Sequence, residues 1–184
     1  MQRCPWPNSP AMIKYHDKEW GVPLHDDRKH FEFFILDAFQ AGLSWAIIIK
    51  KRGGFEKAFK NFDINKVAKF TKKDVERLVK DESIICNRMK IDAAIENAKR
   101  FIEIQKEFGS FDKYIWSFVK NKPIKNKWTS LKQLPAKTEL SDAMCKDLKS
   151  RGFKFCGSTI CYAYMQAAGL VNDHMADCFR YKQC

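Results

Sequence analysis

Asp37 stands inside the most apolar run of this chain, FEFFILDAFQAGLSWAIIIK, residues 31–50. An ionised carboxylate in such surroundings is costly unless a partner offsets it. Asp37, Gln40 and Ser44 are spaced i, i+3, i+7, so on a continuous helix they form one polar stripe. That stripe either faces water or lines a cavity. Gly42 and Leu43 suggest a turn, Ser44 is suited to cap a following helix, and Trp45 comes next. A buried acid beside an aromatic and a turn is a pocket pattern.

Three further groups of residues carry chemistry. Cys4, His16, His174 and Cys178 are a donor set for a structural zinc, which takes four tetrahedral nitrogen and sulfur ligands. His174 and Cys178, four residues apart, would share one face of a helical turn. The competing reading has these as unrelated residues, with Cys178 buried and His174 exposed. Trp6, Tyr15, Trp20 and Trp45 lie close to Asp37 in sequence or in the segment that would fold back on it. Aromatic faces stack on nucleobases, although any single tryptophan is as well explained as core. The third group is LVKDESIICNRMKI, residues 78–91, which reads as a helix, a tight turn and a second helix. Ile84 and Ile85 would anchor the turn, leaving backbone N–H groups outward at a helix start suited to phosphate, with Arg88 and Lys90 adding charge. Such an element holds DNA by its backbone, and an ordinary αα-hairpin has the same outline.

The elements that must position these residues are mostly helical. Residues 1–25 contain four prolines and a glycine and read as an irregular arm with little helix of its own. Asp26 and Asp27 offer a helix start ahead of the apolar run. Short helices are expected at 55–62 and 64–70, and Thr71 to Asp74 resembles a capping box that opens another. Ile91, Ala94, Ile95, Ala98 and Ile102 keep helical spacing through a long helix from about Met89 to Glu107. A helix closing at 116–119 precedes the basic loop KNKPIKNK, and 141–150 and 159–168 read as helices, the second ended by Gly169. Strand signals are scarce. The expectation is an all-α domain of 184 residues with 45% hydrophobic content, enough for a core.

Charge and cysteine usage narrow the setting. A net charge of +12 favours a polyanionic partner, nucleic acid before membrane. The run at 31–50 is interrupted by Glu32, Asp37, Gln40, Gly42 and Ser44, so it is not a convincing membrane span. The start MQRCPWPNSP has no apolar signal region, and seven cysteines leave one without a partner in the chain. Together these point to a reducing cytoplasm, with cysteines serving as core residues or ligands.

Four segments carry a resemblance: RCPW at 3–6, YHDKEWGVP at 15–23, QAGLSW at 40–45 and RGFKFCGSTICYAYMQAAGLVNDH at 151–174. On these the chain resembles the 3-methyladenine-DNA glycosylase I (Tag) family over almost its full length. The resemblance implies a helix-hairpin-helix α-domain, with a small lobe formed by residues 1–25 and about 160–184 and tied by one structural zinc on Cys4, His16, His174 and Cys178. It implies that Tyr15 and Asp37 read the damaged base and that Trp45 with Trp6 forms the stacking surface, Trp20 lying beside them. Gly42 and Leu43 would fall in the loop that fills the gap left in the DNA stack, and Ile84, Ile85, Arg88 and Lys90 in the backbone-binding hairpin. Five positions depart from the family pattern. Asp37 replaces a usual Glu, Ala38 a usual Gly, Ser83 and Cys86 a usual Gly and Arg, and Ala163 a common Ser.

The expected activity follows from the resemblance: hydrolytic removal of 3-methyladenine from alkylated duplex DNA after base flipping, leaving an abasic site. No lysine lies in the pocket segments, so a lyase step is not expected. The expected protein is a cytoplasmic monomer with DNA as its partner and the free base as product. The alternative is a non-catalytic, zinc-containing module that recognises damaged DNA.

Overall fold

The computed structural model describes residues 2–184. Among them, nine α-helices and two very short strands make a mostly helical molecule. The helices are α1 (Pro10–Lys18), α2 (Asp27–Gln40), α3 (Trp45–Ala58), α4 (Ile64–Val67), α5 (Lys72–Leu78), α6 (Arg88–Phe108), α7 (Phe111–Ser117), α8 (Glu139–Ser150) and α9 (Ser158–Ala167). Strands β1 (Ile124–Lys125) and β2 (Val171–Asn172) pair in parallel. None of the helices is long and apolar enough to cross a membrane.

The apolar run becomes the centre of the molecule. α2 buries every residue from His30 to Phe39, because α3, α6, α7 and α9 all pack around it. A helix that is apolar on all faces is stable only when surrounded. Its start is the expected one: the Asp26 carboxylate accepts from the Lys29 N–H at 2.8 Å. Its neighbour Asp27 instead caps another helix, accepting from the backbone N–H groups of Phe111 and Asp112 at the head of α7. A buried polar chain pins α2 further. His30 Nε2 lies 3.1 Å from the Asp112 carboxylate and His30 Nδ1 lies 2.6 Å from the Tyr164 hydroxyl. Burial lowers the His30 pKa against the opposing pull of Asp112, so a neutral ring is favoured at this junction.

The capping box at Thr71–Asp74 forms, and the long helix α6 runs where its periodicity placed it. Gly169 ends α9 with a φ of 72°, and a Cβ there would lie 2.4 Å from the Val22 carbonyl carbon. Only glycine meets both demands.

Three expectations need correction. The N-terminal arm contains a helix, α1, because Ser9 caps it and Pro10 occupies its first turn. Proline at that position loses no helical hydrogen bond, so the proline count misled. His174 and Cys178 do not share a helical turn: His174 follows β2 and Cys178 closes a turn on Met175. The polar stripe of Asp37, Gln40 and Ser44 is not continuous, since α2 stops at Gln40 and α3 begins at Trp45. Ser44 occupies the cap position of α3, but its side chain makes no capping bond.

Candidate base-binding cavity and metal centre

Four helices, α1, α2, α3 and α9, meet at one cavity. α1 supplies Met12 and Tyr15, α2 supplies Asp37 and Gln40, and α3 supplies Trp45. Trp6 and Trp20 close one side, Ala163 and Gln166 of α9 another, and Leu131 and Leu134 stand on the remaining rim. The volume is about 370 Å³, the size of a small-molecule site. Its aromatic part is ordered by ring contacts. Tyr15 and Trp45 lie 5.3 Å apart by centroids, and Trp6 sits edge-on to Trp20 at 5.1 Å.

Asp37 is the anomaly of this cavity. It is 2% exposed, and its Oδ2 has no hydrogen-bond partner among the described residues. Trp45 Nε1 is likewise buried without an acceptor. Burial alone raises the Asp37 pKa well above the carboxylate range. The Tyr15 hydroxyl does not steady it, since no hydrogen bond joins the two residues. Tyr15 is itself buried, and desolvation followed by the nearby Asp37 charge pushes its pKa up. A buried acceptor and a buried donor, both unsatisfied and both on residues lining a cavity, are groups a ligand would satisfy.

One guanidinium ties three of these helices, α1, α2 and α3, together. Arg52 of α3 donates two hydrogen bonds to the Glu19 carboxylate, at 2.9 and 2.7 Å, and one to Glu32 at 2.7 Å. Glu19 is the residue that caps the C-terminus of α1, and Glu32 lies on α2. The clamp therefore joins the helices that bear Tyr15, Asp37 and Trp45. Neither Arg52 nor the clamp it forms stood out in the sequence. Glu32 interrupts the apolar run at 31–50, but Glu19 and Arg52 stand among other charged residues and carry no local signal.

Cys4, His16, His174 and Cys178 come together as a buried cluster whose donor atoms all lie within 4.8 Å of one another. Cys4 Sγ is 3.6 Å from His174 Nδ1, Cys178 Sγ is 3.5 Å from His16 Nε2 and 3.6 Å from His174 Nδ1. Ligands at roughly 2.0–2.3 Å from a tetrahedral zinc stand about 3.3–3.8 Å apart, so these three separations fit a metal ion. The outer ring nitrogens are held as a metal site requires. His16 Nδ1 lies 2.8 Å from Asp17 Oδ1, which also accepts from Arg3, and His174 Nε2 lies 3.0 Å from the Trp20 carbonyl. Burial pushes the Cys4 thiol up to about 12 and holds His174 down to about 4. Trp20 thus serves two places, stacked on His16 and lining the cavity.

The turn between α5 and α6 places its expected residues unevenly. Ile84 is buried, Ile85 half-buried, and Arg88 is exposed in an ion pair with Glu76 at 2.6 Å. Lys90 is not a surface charge. It is 8% exposed, and its ammonium donates to the carbonyls of Phe39 at 2.8 Å and Ala41 at 2.6 Å. Burial lowers its pKa. Helical periodicity turns Lys90 with Ile91 and Ala94 toward the core, which the charge alone had obscured. Gly42 has a φ of 78° in the loop after α2, and Leu43 projects from that loop more than one-third exposed.

A helical protein with an unsatisfied buried carboxylate in an aromatic cavity, and a Cys2His2 cluster fastening its two ends, has clear relatives. The methyladenine glycosylase family model matches residues 6–181, and the chain belongs to that family. It is 48% identical over 182 residues to DNA-3-methyladenine glycosylase 1 of Escherichia coli K12, covering 98% of this chain and 97% of that one. It is 46% identical to DNA-3-methyladenine glycosylase of Haemophilus influenzae, covering 96% of both. A crystal structure of 3-methyladenine DNA glycosylase I superposes with a TM-score of 0.94 at 47% identity, over 97% of this chain and 98% of that chain. A Tyr-to-Phe variant of a 3-methyladenine DNA glycosylase I, crystallised with 3-methyladenine, gives 0.94 at 34% identity, covering 97% of both chains.

Proposed function

We propose that this protein is a DNA-3-methyladenine glycosylase that removes N3-alkylated adenine from duplex DNA. Alkylation at N3 makes the base cationic and weakens its bond to the sugar. The base leaves with the electrons of the C1′–N9 bond, and water supplies the oxygen that replaces it at C1′, losing a proton to solvent. The products are free 3-methyladenine and an abasic site. The enzyme's task is then recognition of a cation that has been taken out of the stack.

Asp37 carries this reading. Its unpartnered oxygen at the cavity is a poor place for a carboxylate until a cationic base supplies charge and donors. Trp45 and Trp6 would bracket the ring, whose cationic charge favours aromatic faces. Tyr15 stands beside the acid as a second polar group, and Trp20 backs the stacking wall. The turn from Asp81 to Asn87 between α5 and α6 would act as a helix-hairpin-helix grip on the phosphate backbone, with Arg88 near its exit. Gly42 and Leu43 would enter the gap that the flipped base leaves. One zinc on Cys4, His16, His174 and Cys178 would staple the N- and C-terminal segments into a small lobe of a single domain acting as a monomer. That ion is structural in this reading, since four protein ligands leave it no open position.

The test is single-turnover release of 3-methyladenine from methylated duplex DNA. Wild type should release the free base and leave an alkali-labile site. Asp37→Asn keeps the shape and removes the charge, and should slow release by about 10²-fold, the scale of losing one partner of a buried charge pair. Undamaged-duplex affinity should not change. An Asn variant as fast as wild type would show that stacking alone selects the base.

A further inference from the structure

The cavity and the proposed DNA grip are joined at two places. On one side, Gly54 of α3 lies so close to the turn that a Cβ there would sit 2.2 Å from the Ser83 carbonyl oxygen, and Lys51 donates to the Glu82 carbonyl. On the other, Lys90 in the first turn of α6 reaches back to α2. Its two acceptors, Phe39 and Ala41, are the next-to-last residue and the C-cap of the helix that carries Asp37. α2 has no basic residue in its own last turn. A cation is favoured there, because carbonyls at a helix C-terminus lack intrahelical donors and carry partial negative charge.

We propose that Lys90 is a positioning residue for base excision, which locks the end of the Asp37 helix and the loop from Ala41 to Ser44 to the head of α6, so that DNA held at the turn meets a fixed cavity mouth. This rests on the glycosylase reading above. It replaces the role that charge alone suggests for this residue, a phosphate contact. An ammonium with both near acceptors inside the protein and 8% exposure has little left for a phosphate. The same bonds explain how the chain leaves α2 abruptly. Ala41 departs from helical geometry with ψ of 116°, Gly42 follows with φ of 78°, and the Leu43 N–H returns to the Gln40 carbonyl at 2.7 Å. Lys90 holds the Ala41 carbonyl at the corner of that turn. Errors of about 1 Å at such a corner reach the reacting geometry and can cost on the order of 10²-fold in rate.

The experiment compares wild type, Lys90→Met and Lys90→Gln. Met keeps the apolar stem and loses the donors and the charge. Gln keeps donors without charge. Three quantities are read at a temperature where circular dichroism shows each protein folded: the excision rate at saturating methylated duplex, the affinity for undamaged duplex across a salt series, and free 3-methyladenine binding by tryptophan quenching. The expected result for Lys90→Met is a saturating rate lowered at least tenfold, with duplex affinity within about twofold of wild type and an unchanged salt slope. Lys90→Gln should recover part of the rate. A phosphate contact would give the reverse, weaker duplex binding with a salt slope reduced by about one and a normal saturating rate, and that outcome overturns the proposal. So does a Met variant equal to wild type in all three. Equal losses in Gln and Met would also count against it, because the bonds are held responsible for part of the effect and the charge only for the rest. A wild-type protein that releases no base sinks the glycosylase reading itself and this proposal with it. An active wild type with an equally active Lys90→Met sinks only the role of Lys90.

Discussion

Two aspartates are buried in this chain on opposite terms. Asp173 is fully buried and accepts four hydrogen bonds, from Asn126, Trp128, Tyr162 and Gln166, all between 2.6 and 2.8 Å. It knits the loop after β1 to α9 and β2. Asp37 has an oxygen with no donor at all. One carboxylate is structural cement; the other is a group left unsatisfied at a cavity, which is where strain of this kind accumulates when binding relieves it. The difference has a thermodynamic sign. The Asp37 pKa is raised on folding from an ordinary 3.8, so the folded state holds its proton to higher pH than the unfolded state does. Its contribution to stability is complete below the unfolded value and is lost as pH rises through the folded one. Asparagine does not titrate. Asp37→Asn should therefore show a Tm advantage over wild type that is absent near pH 3 and opens as pH rises through and above the ordinary carboxylate range. Calorimetric scans of the two proteins across pH would check this, and a constant Tm difference would mean that Asp37 is not desolvated in solution.

At the scale of elements, the cavity exists because α1, α2 and α3 are held at one set of angles. Apolar packing fixes α2, but α1 is short and borders the surface. The Arg52 clamp supplies what α1 cannot, with side-chain exposures of 20% for Arg52, 9% for Glu32 and 30% for Glu19. Removing one partner of a half-buried network leaves the others uncompensated. Arg52→Met should cost about 2–3 kcal/mol in urea unfolding, a figure already reduced for the solvent that reaches Glu19. Arg52→Lys should restore little of it, because an ammonium cannot make the paired bonds that a guanidinium makes to Glu19 while also reaching Glu32. A lysine variant with wild-type stability would show that charge, not geometry, holds these helices.

The whole molecule carries a net charge of +12, and a partner bound through phosphates releases counterions. Duplex binding should weaken steeply between about 50 and 200 mM salt, by roughly 10³-fold or more if six phosphates are neutralised, and nearly alike for every sequence. Fluorescence anisotropy on two unrelated duplexes would test this, and a flat salt response would remove the electrostatic account. The termini form the other global feature. Cys4 and His16 lie near one end of the chain, His174 and Cys178 near the other, so chelation should loosen those segments while α2 and α6 stay protected. Hydrogen exchange with and without chelator would show it as fast exchange confined to the termini. Global unfolding would mean that the metal, rather than the aromatic core, sustains the fold, and no metal by elemental analysis in an active protein would end the zinc assignment.

The sequence by itself determined most of the helices, the capping box at Thr71–Asp74 and the central place of the run at 31–50, and its family resemblance singled out the four residues of the Cys4–His16–His174–Cys178 cluster. Those features depend on local spacing and on residue type, which a linear reading sees. What only the tertiary structure decided were facts of distance between segments far apart in the chain. Whether a buried aspartate has donors depends on residues from other elements, so Asp37 and Asp173 look alike in sequence and behave as opposites in the fold. Whether a lysine faces DNA or a helix end depends on how α6 meets α2, and a formal charge carries no record of that. The proline-rich arm held a helix because one serine and one proline fell in register. Arg52 stayed hidden because its meaning lies in joining three elements, and no stretch of chain contains all three.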